Sequence, residues 1–261
     1  MKKSLATNKA SALPRPNYGN WVTKKFILVP VILGLVSLGL SLLWPLAVLL
    51  AVFFLGIGAY FVYAWNRFSS AGGNVQGQIW DLLVAHLDWD GNGKALDIGC
   101  GNAAVTIRLA QKYPQACITG IDYWGKDWGY SKEVCEQNAA VEGVANRIVF
   151  EKASASALPF EDGFFDAAVS NLVFHEVFEV KDKRELLREA LRVVKKGGRF
   201  AFQDLFVEER LYGKTEKLLD LMRSWGVTRV SFVKTYDEPF ISGPLKLPFM
   251  VGRIGILYGE K

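Results

Sequence analysis

The residues of this chain best suited to chemistry lie between Ala95 and Ala103. Apolar residues lead into Asp97, and Gly99 and Gly101 follow it, which is the pattern of a buried strand that ends in a glycine loop. Because glycine has no Cβ atom, such a loop lets a nucleotide-like ligand approach the backbone. The spacing fits three interpretations: a nicotinamide or flavin site, an S-adenosylmethionine site, or a tight turn that is rich in glycine without a ligand.

Strands and helices alternate along residues 75–261 and must position these groups. The predicted strands span residues 94–98, 117–121, 148–152, 165–171, 199–203, 227–233 and 252–258, and the predicted helices span 75–87, 103–112, 130–142, 183–194 and 214–225. The alternation predicts an α/β domain with a mostly parallel sheet and helices on both faces. Ligands bind at the carboxyl ends of the strands in such sheets, where the pattern places Asp97, Asp122, Ser154, Asn171 and Asp204.

An uncharged stretch precedes this domain and covers residues 26–65. It is about twice as long as the ~20 apolar residues that cross a bilayer once. We therefore predict a transmembrane hairpin of two helices, 26–43 and 46–65, with a turn at Trp44 and Pro45. A pair of buried helices in a soluble protein is the alternative. A cleaved signal peptide is disfavoured because the run starts late and is too long.

Basic residues flank the uncharged stretch and set its predicted orientation. Those before it are Lys2, Lys3, Lys9, Arg15, Lys24 and Lys25, and Arg67 follows it. By the positive-inside rule both flanks are cytoplasmic, which predicts a multi-pass membrane protein with its folded domain in the cytosol. The predicted organisation is a basic segment 1–25, the hairpin 26–65, a polar and glycine-rich linker 66–74, and a domain 75–261.

Composition excludes several other classes of site. The net charge of +5 partly reflects the basic flank, and no stripe of basic and aromatic residues follows, so we expect no nucleic-acid partner. Cys100, Cys117 and Cys135 have a spacing that fits neither a metal motif nor a disulfide framework. We therefore expect reduced thiols and no metal site.

Four short patterns carry a resemblance to one family. They are Leu-Asp-Ile-Gly-Cys-Gly at 96–101, Gly-Ile-Asp at 120–122, Leu-Pro-Phe at 158–160 with Phe-Asp at 165–166, and Arg-Val-Val-Lys-Lys-Gly-Gly-Arg at 192–199. Over residues 74–261 the chain resembles the class I S-adenosylmethionine-dependent methyltransferases, in particular the branch with ubiquinone/menaquinone, sterol and small-molecule methyltransferases. The resemblance implies a Rossmann-like seven-stranded fold and S-adenosylmethionine as cofactor.

The resemblance also implies roles for residues at matching positions. Asp97, Gly99 and Gly101 would surround the methionine part of the cofactor, and Asp122 would bind the ribose hydroxyls. A carboxylate at 97 suits a cationic sulfonium ligand and would repel the pyrophosphate of a dinucleotide. Ser154 departs from the family pattern, in which an aspartate often binds the adenine amino group. The cofactor-binding residues expected in this way are Asp97, Gly99, Cys100, Gly101, Asp122, Tyr123, Ser154, Ala155 and Asn171.

His175 and Glu176 follow the fourth predicted strand and are the candidate catalytic residues. His175 would be a base, because some methyl acceptors must lose a proton. Glu176 would orient His175 or bind a cationic acceptor. A structural histidine and a solvated carboxylate at a helix start are the alternatives.

Two further segments have open interpretations. The aromatic segment 123–130 would cap the adenine or the acceptor channel, or would pack against the leading helix. The apolar segment 240–250, which contains Pro244 and Pro248, would touch the bilayer or the pocket mouth, or would be a packed insertion.

The sequence therefore predicts a membrane-anchored methyltransferase whose acceptor is an apolar or amphipathic small molecule, such as a lipid, quinone or sterol-like compound. Membrane lipid is the other expected partner. One alternative is a methyltransferase for a soluble amine, thiol or hydroxyl compound, with the hairpin used only for location. Another is a cofactor-binding membrane protein without turnover.

Overall fold

The structure is a computed structural model and describes residues 15–125 and 129–261. Its helices are α1 Lys25–Leu40, α2 Ala47–Phe68, α3 Val75–Ala85, α4 Ala104–Lys112, α5 Lys132–Val141, α6 Lys183–Arg192, α7 Glu209–Tyr212 and α8 Thr215–Ser224. Its strands are β1 Lys94–Ile98, β2 Cys117–Asp122, β3 Ile148–Lys152, β4 Phe165–Asn171, β5 Val194–Asp204, β6 Arg229–Lys234 and β7 Gly255–Glu260. The basic residues Lys2, Lys3 and Lys9 lie outside the described residues.

All seven strands form one sheet in the order β3-β2-β1-β4-β5-β7-β6. The pairs from β3 to β5 are parallel, and β7 runs antiparallel to both β5 and β6. The strand order reverses between β1 and β4, which is where open α/β sheets bind ligands. The predicted seven-stranded, mostly parallel sheet is thus confirmed.

The sheet is covered on both faces because successive residues of a strand point in opposite directions. Ala95 of β1 belongs to a hydrophobic cluster with residues of α3, α4 and α5, among them Leu83 and Ile107. The next residue, Leu96, belongs to a cluster with residues of α6 and α8, among them Leu187. The helices therefore hold the carboxyl ends of the strands in fixed positions.

Helices α1 and α2 pack against each other through glycines. A Cβ atom at Gly34 would lie 2.7 Å from the side chain of Leu55, and one at Gly58 would lie 2.8 Å from that of Val31. Within the described residues, α2 is the one helix that is long and apolar enough to cross a membrane, judged by length and composition. Helix α1 has 16 residues and ends near Ser41, whose hydroxyl donates to the carbonyl of Leu38 at 2.6 Å.

A third hydrophobic cluster joins α2 to the domain, in place of part of the linker predicted at residues 66–74. Helix α2 continues to Phe68, three residues beyond the predicted end, because Ala64 and Phe68 are buried in this cluster. Its other members come from α3, from the N-terminal residue Val22 and from the connection between β6 and β7. The helix pair is therefore packed on the domain and is not separated from it by a free linker.

The sequence pattern placed the end of the sixth helix and the start of the fifth strand incorrectly. Gly197 and Gly198 do not end a helix, since α6 stops at Arg192 and β5 begins at Val194. The β4–β5 register shifts between Phe165 and Ala167, so the two glycines lie within an irregular part of the strand pair.

Candidate functional site

The glycine loop after β1 has the geometry that its residue types predict. Gly99 and Gly101 have φ angles of +72° and +56°, a region that favours glycine. The amide groups of Gly99 and Cys100 both donate to the carbonyl of Ile121 at 2.8 Å, which fixes the loop beside the end of β2. A Cβ atom at Gly99 would lie 2.2 Å from the side chain of Val173, so no larger residue fits without displacement.

Asp122, at the end of β2, closes the loop from the other side. One carboxylate oxygen accepts from the amide of Gly101 at 2.9 Å, and the other accepts from the amide of Trp124 at 2.8 Å. The indole of Trp124 donates in turn to the carbonyl of Gly101 at 3.1 Å. Burial raises the pKa of Asp122, although its backbone hydrogen bonds oppose the shift. Since each carboxylate oxygen can accept more than one hydrogen bond, the group retains acceptor capacity for a diol.

Asp97 is fully buried on the face of the sheet that packs against α4. The hydroxyl of Thr106 donates to it at 2.6 Å. Burial raises the pKa of Asp97 to about 7, and the negative charge of Asp122 adds to the rise, while the Thr106 hydrogen bond opposes it. A cation at this position would favour the ionised carboxylate and lower that pKa.

Cys100 and Cys135 form a buried thiol pair behind the loop. The thiol of Cys135 lies 3.0 Å from the carbonyl of Gly101. Burial, and after it the hydrogen bond with Cys135, raise the pKa of Cys100. Cys100 is therefore a neutral thiol that packs the loop and is not an activated nucleophile.

A residue before the helix pair also fixes the loop. The amide of Asn17 donates to the side chain of Asn138 at 2.8 Å, and the same Asn138 side chain donates to the carbonyl of Asn102 at 3.0 Å. The sequence carried no signal for this connection, because the residues are distant along the chain.

Ser154 and Ala155 follow β3, where the resemblance implies contacts with adenine. The Ser154 hydroxyl lies 2.8 Å from that of Ser156 and 3.2 Å from a carboxylate oxygen of Glu179. A carboxylate thus stands beside the serine that replaces the family's usual aspartate. Sequence reasoning missed Glu179, because it reaches the site from the connection after β4.

Asn171 ends β4 beside the glycine loop. Its side-chain oxygen is buried and has no hydrogen-bond partner among the described residues. A buried acceptor without a partner is costly, and a bound donor would satisfy it. The resemblance implies that Asn171 lies under the methionine part of a cofactor, and that role stays a prediction.

His175 lies in a chain of three polar groups at the carboxyl ends of β4 and β5. Its Nδ1 is 2.8 Å from an oxygen of the fully buried Asp204, and its Nε2 is 3.1 Å from an oxygen of Glu176. Asp204 also accepts from the amides of Phe174 and Leu205 at 2.8 and 2.6 Å. The sequence pattern places Asp204 at this edge of the sheet. Its pairing with His175 had no local signal, because it depends on β4 and β5 being neighbours in the sheet.

Two carboxylates decide the protonation of His175. Burial by itself would lower the pKa of the imidazole, but hydrogen bonds and charge attraction from Asp204 and Glu176 outweigh it and raise the pKa to about 9. At neutral pH the group is an imidazolium with both N–H groups engaged. It becomes a base only after the proton on Nε2 is lost, since Nδ1 remains bonded to Asp204.

The aromatic segment after β2 is described in part. Trp124 packs against the glycine loop, as its hydrogen bond shows, whereas Tyr123 is exposed with the amine of Lys152 at 5.0 Å from its ring centre. Residues 126–128 lie outside the described residues, so the predicted cap stays a prediction. Among residues 15–125 and 129–261, no group of three or more His, Cys, Asp or Glu side chains could hold a metal ion.

Comparison with known proteins identifies the central part of this fold. Residues 96–202, which run from β1 to β5 and include the glycine loop, Asp122 and His175, match a family described as a methyltransferase domain. The glycine loop, Asp122 and His175 therefore lie in the part of the chain that matches this family, and Asp204 lies two residues beyond it.

Two relatives show how far the similarity extends. The chain is similar to 27-O-demethylrifamycin SV methyltransferase of Amycolatopsis mediterranei, at 31% identity over 55% of this chain and 50% of that protein. It is also similar to the ubiquinone/menaquinone biosynthesis C-methyltransferase of Geotalea daltonii, at 32% identity over 45% of this chain and 48% of that protein. The chain thus spans about half the length of these relatives.

Solved structures share the fold of this chain. Geranyl diphosphate C-methyltransferase from Streptomyces coelicolor matches with a TM-score of 0.53 and 14% identity, over 71% of this chain and 79% of that one. A putative S-adenosylmethionine-dependent methyltransferase from Methanococcus maripaludis matches with a TM-score of 0.51 and 16% identity, over 75% of this chain and 89% of that one. At these identities the likeness concerns the fold alone.

Proposed function

We propose that the protein is an S-adenosylmethionine-dependent methyltransferase, anchored in a membrane by α1 and α2, that methylates an apolar or amphipathic small molecule. The observation that carries the proposal is the arrangement at the carboxyl edge of the sheet. There the glycine loop with Asp97 and Asp122 lies against Val173, two residues before His175, and the cluster that holds α2 reaches the same edge. Soluble acceptors are the alternative, which the experiment below separates.

The residues present fit the proposed cofactor. Asp122 offers a carboxylate with free acceptor capacity to the ribose hydroxyls. Asp97 offers a buried carboxylate to the cationic end, and the unpartnered oxygen of Asn171 offers an acceptor to an ammonium group. When bound, S-adenosylmethionine supplies an activated methyl group on a sulfonium centre.

The protein's own contribution is to hold the acceptor, exclude water and manage a proton. His175 donates to Asp204 and Glu176. The imidazole becomes a base when its Nε2 proton passes to solvent, which occurs as the pH approaches its pKa of about 9. Asp204 acts as a positioning residue, because it keeps Nδ1 protonated and leaves Nε2 as the atom that can take a proton.

The acceptor class follows from what surrounds this edge of the sheet. Leu172 and Leu205 come directly after Asn171 and Asp204, and both pack against the cluster that contains Ala64 and Phe68 of α2. Apolar packing therefore connects this edge of the sheet to the end of α2. Its relatives act on 27-O-demethylrifamycin SV and in ubiquinone/menaquinone biosynthesis, which supports a small-molecule acceptor.

Methyl transfer from radiolabelled S-adenosylmethionine into membrane extracts tests the proposal. The full chain is incubated with membranes, and label is counted in the organic and aqueous phases. We expect label in the organic phase, with loss of transfer in Asp122→Asn and full transfer in Glu216→Gln, an exposed carboxylate on α8. Label in the aqueous phase alone would support a soluble acceptor, and cofactor binding without transfer would support a non-catalytic role.

A further inference from the structure

Large apolar side chains gather on one edge of the sheet. After α2, the exposed ones among the described residues are Tyr123, Val149, Phe164, Phe178, Leu247 and Phe249. Four of these six lie in connections at the carboxyl ends of strands, which is the edge that holds His175. Of the other two, Val149 lies in an edge strand, and Phe164 is at the opposite edge with the amine of Lys94 at 4.0 Å from its ring centre.

The connection between β6 and β7 brings two of these side chains to the edge. It leaves the sheet after Lys234 and returns at Gly255, and these residues pair with each other. Gly255 also pairs with Asp204, so the connection begins and ends beside the candidate site. Its inner residues, such as Leu245, are buried, whereas Leu247 and Phe249 point outward.

Two tyrosines of α2 attach the same connection to that helix. The hydroxyl of Tyr60 donates to the carbonyl of Pro244 at 2.9 Å, and the hydroxyls of Tyr63 and Ser242 lie 2.8 Å apart. The ring of Phe249 lies 6.0 Å from that of Tyr60. Tyrosines near the end of an apolar helix are typical of the membrane–water interface. Phe249 lies beside Tyr60, so it would lie at the same depth relative to the membrane.

We propose that the carboxyl edge of the sheet rests on the lipid bilayer, with Phe178, Leu247 and Phe249 inserted into its interface. Phe178 is 82% exposed and comes three residues after His175. Isolated exposed apolar residues are common, but exposed apolar side chains at the edge on which an apolar helix packs, with Phe249 beside Tyr60 of that helix, indicate a membrane contact. The exposed Lys246, next to Leu247, supplies a positive charge for anionic headgroups.

This arrangement specifies the route of the acceptor and rests on the membrane anchoring proposed above. With the edge on the bilayer, the site opens toward lipid, and the acceptor reaches His175 by lateral movement in the membrane. A second copy of the chain or a protein partner would also cover apolar side chains. The bilayer is favoured because Phe249 contacts a helix that is itself suited to a bilayer.

Depth-dependent fluorescence quenching tests the proposal on the full chain. Single cysteines replace Phe178, Phe249, Phe164 or Val52 in a Cys117→Ser background, since Cys117 is the exposed native thiol. Each variant is labelled with an environment-sensitive nitrobenzoxadiazole fluorophore and reconstituted into vesicles of phosphatidylcholine and phosphatidylglycerol. Quenching by doxyl-labelled lipid and by aqueous iodide is then compared. Val52, exposed on α2, reports whether the helix is inserted.

We expect labels at 178, 249 and 52 to show blue-shifted emission and loss of fluorescence to doxyl lipid, and the label at 164 to be quenched by iodide. Doxyl-lipid quenching of the label at 52 together with iodide quenching of the label at 178 would show that α2 is in the bilayer and that the carboxyl edge of the sheet is not. That result would overturn this proposal and leave the membrane anchoring intact. Blue-shifted emission at 178 and 249 without doxyl quenching would also overturn it in favour of a protein contact. An iodide-quenched label at 52 would instead refute the anchoring itself.

Discussion

Replacing Asp97 by asparagine should stabilise the folded protein at alkaline pH and weaken cofactor binding. The substitution keeps an oxygen that accepts from Thr106 and removes the ionisable group. The folded-state pKa of Asp97, about 7, lies above its ordinary value of 3.8. The stability that the protonated form contributes is therefore complete below pH 3.8 and is lost as the pH rises through 7.

The size of the effect follows from this difference in pKa. A shift of roughly three units corresponds to about 4 kcal/mol of unfolding free energy once the group is ionised. Between pH 5 and pH 8 the free energy of unfolding of the wild-type protein should fall by about 2–3 kcal/mol because Asp97 ionises. For a domain of this size that is roughly 5–10 °C in melting temperature, and Asp97→Asn should escape the loss.

Thermal unfolding of the full chain in detergent micelles, followed by tryptophan fluorescence between pH 5 and pH 8, measures the difference. Glu216→Gln is the control, since that carboxylate is exposed. Calorimetric titration with S-adenosylmethionine should show affinity reduced about 10- to 150-fold in Asp97→Asn, as expected for loss of a charged hydrogen-bond partner. A variant that melts in parallel with the wild type at every pH would refute the reasoning.

Three further substitutions test other parts of the structure. Deprotonation of His175 predicts that the wild-type rate rises as the pH approaches 9. His175→Gln should lower methyl transfer and remove this rise, and a variant with the wild-type pH–rate profile would exclude the base role. Gly99→Ala should lower the free energy of unfolding by roughly 2–4 kcal/mol, because of strain at positive φ and overlap with Val173. Adding Val173→Ala should relieve only the overlap, so full recovery of the melting temperature in the double variant would contradict the backbone strain. Gly58→Val should lower the melting temperature in detergent by forcing α1 and α2 apart, whereas Gly56→Val, which meets open space, should not.

Local patterns were sufficient to predict where the glycine loop, Asp97 and Asp122 lie in the fold. The glycine loop, Asp97 and Asp122 are close along the chain to the strands that carry them, and strand–helix alternation predicts a parallel sheet whose carboxyl ends meet. The order of these strands brought Asn171 to the same place. Contacts made by groups distant along the chain, such as Glu179 beside Ser154 and Asn138 below the loop, had no local signal.

The amino-acid sequence alone determined the strand–helix alternation, the glycine loop and the apolar stretch 26–65, because each depends on the order of neighbouring residues. Only the tertiary structure decided which groups face one another. It paired His175 with Asp204 and so raised the pKa of a candidate base to about 9. It also packed the end of α2 on the connection between β6 and β7, because burial of apolar surface there joins segments that are far apart in the chain.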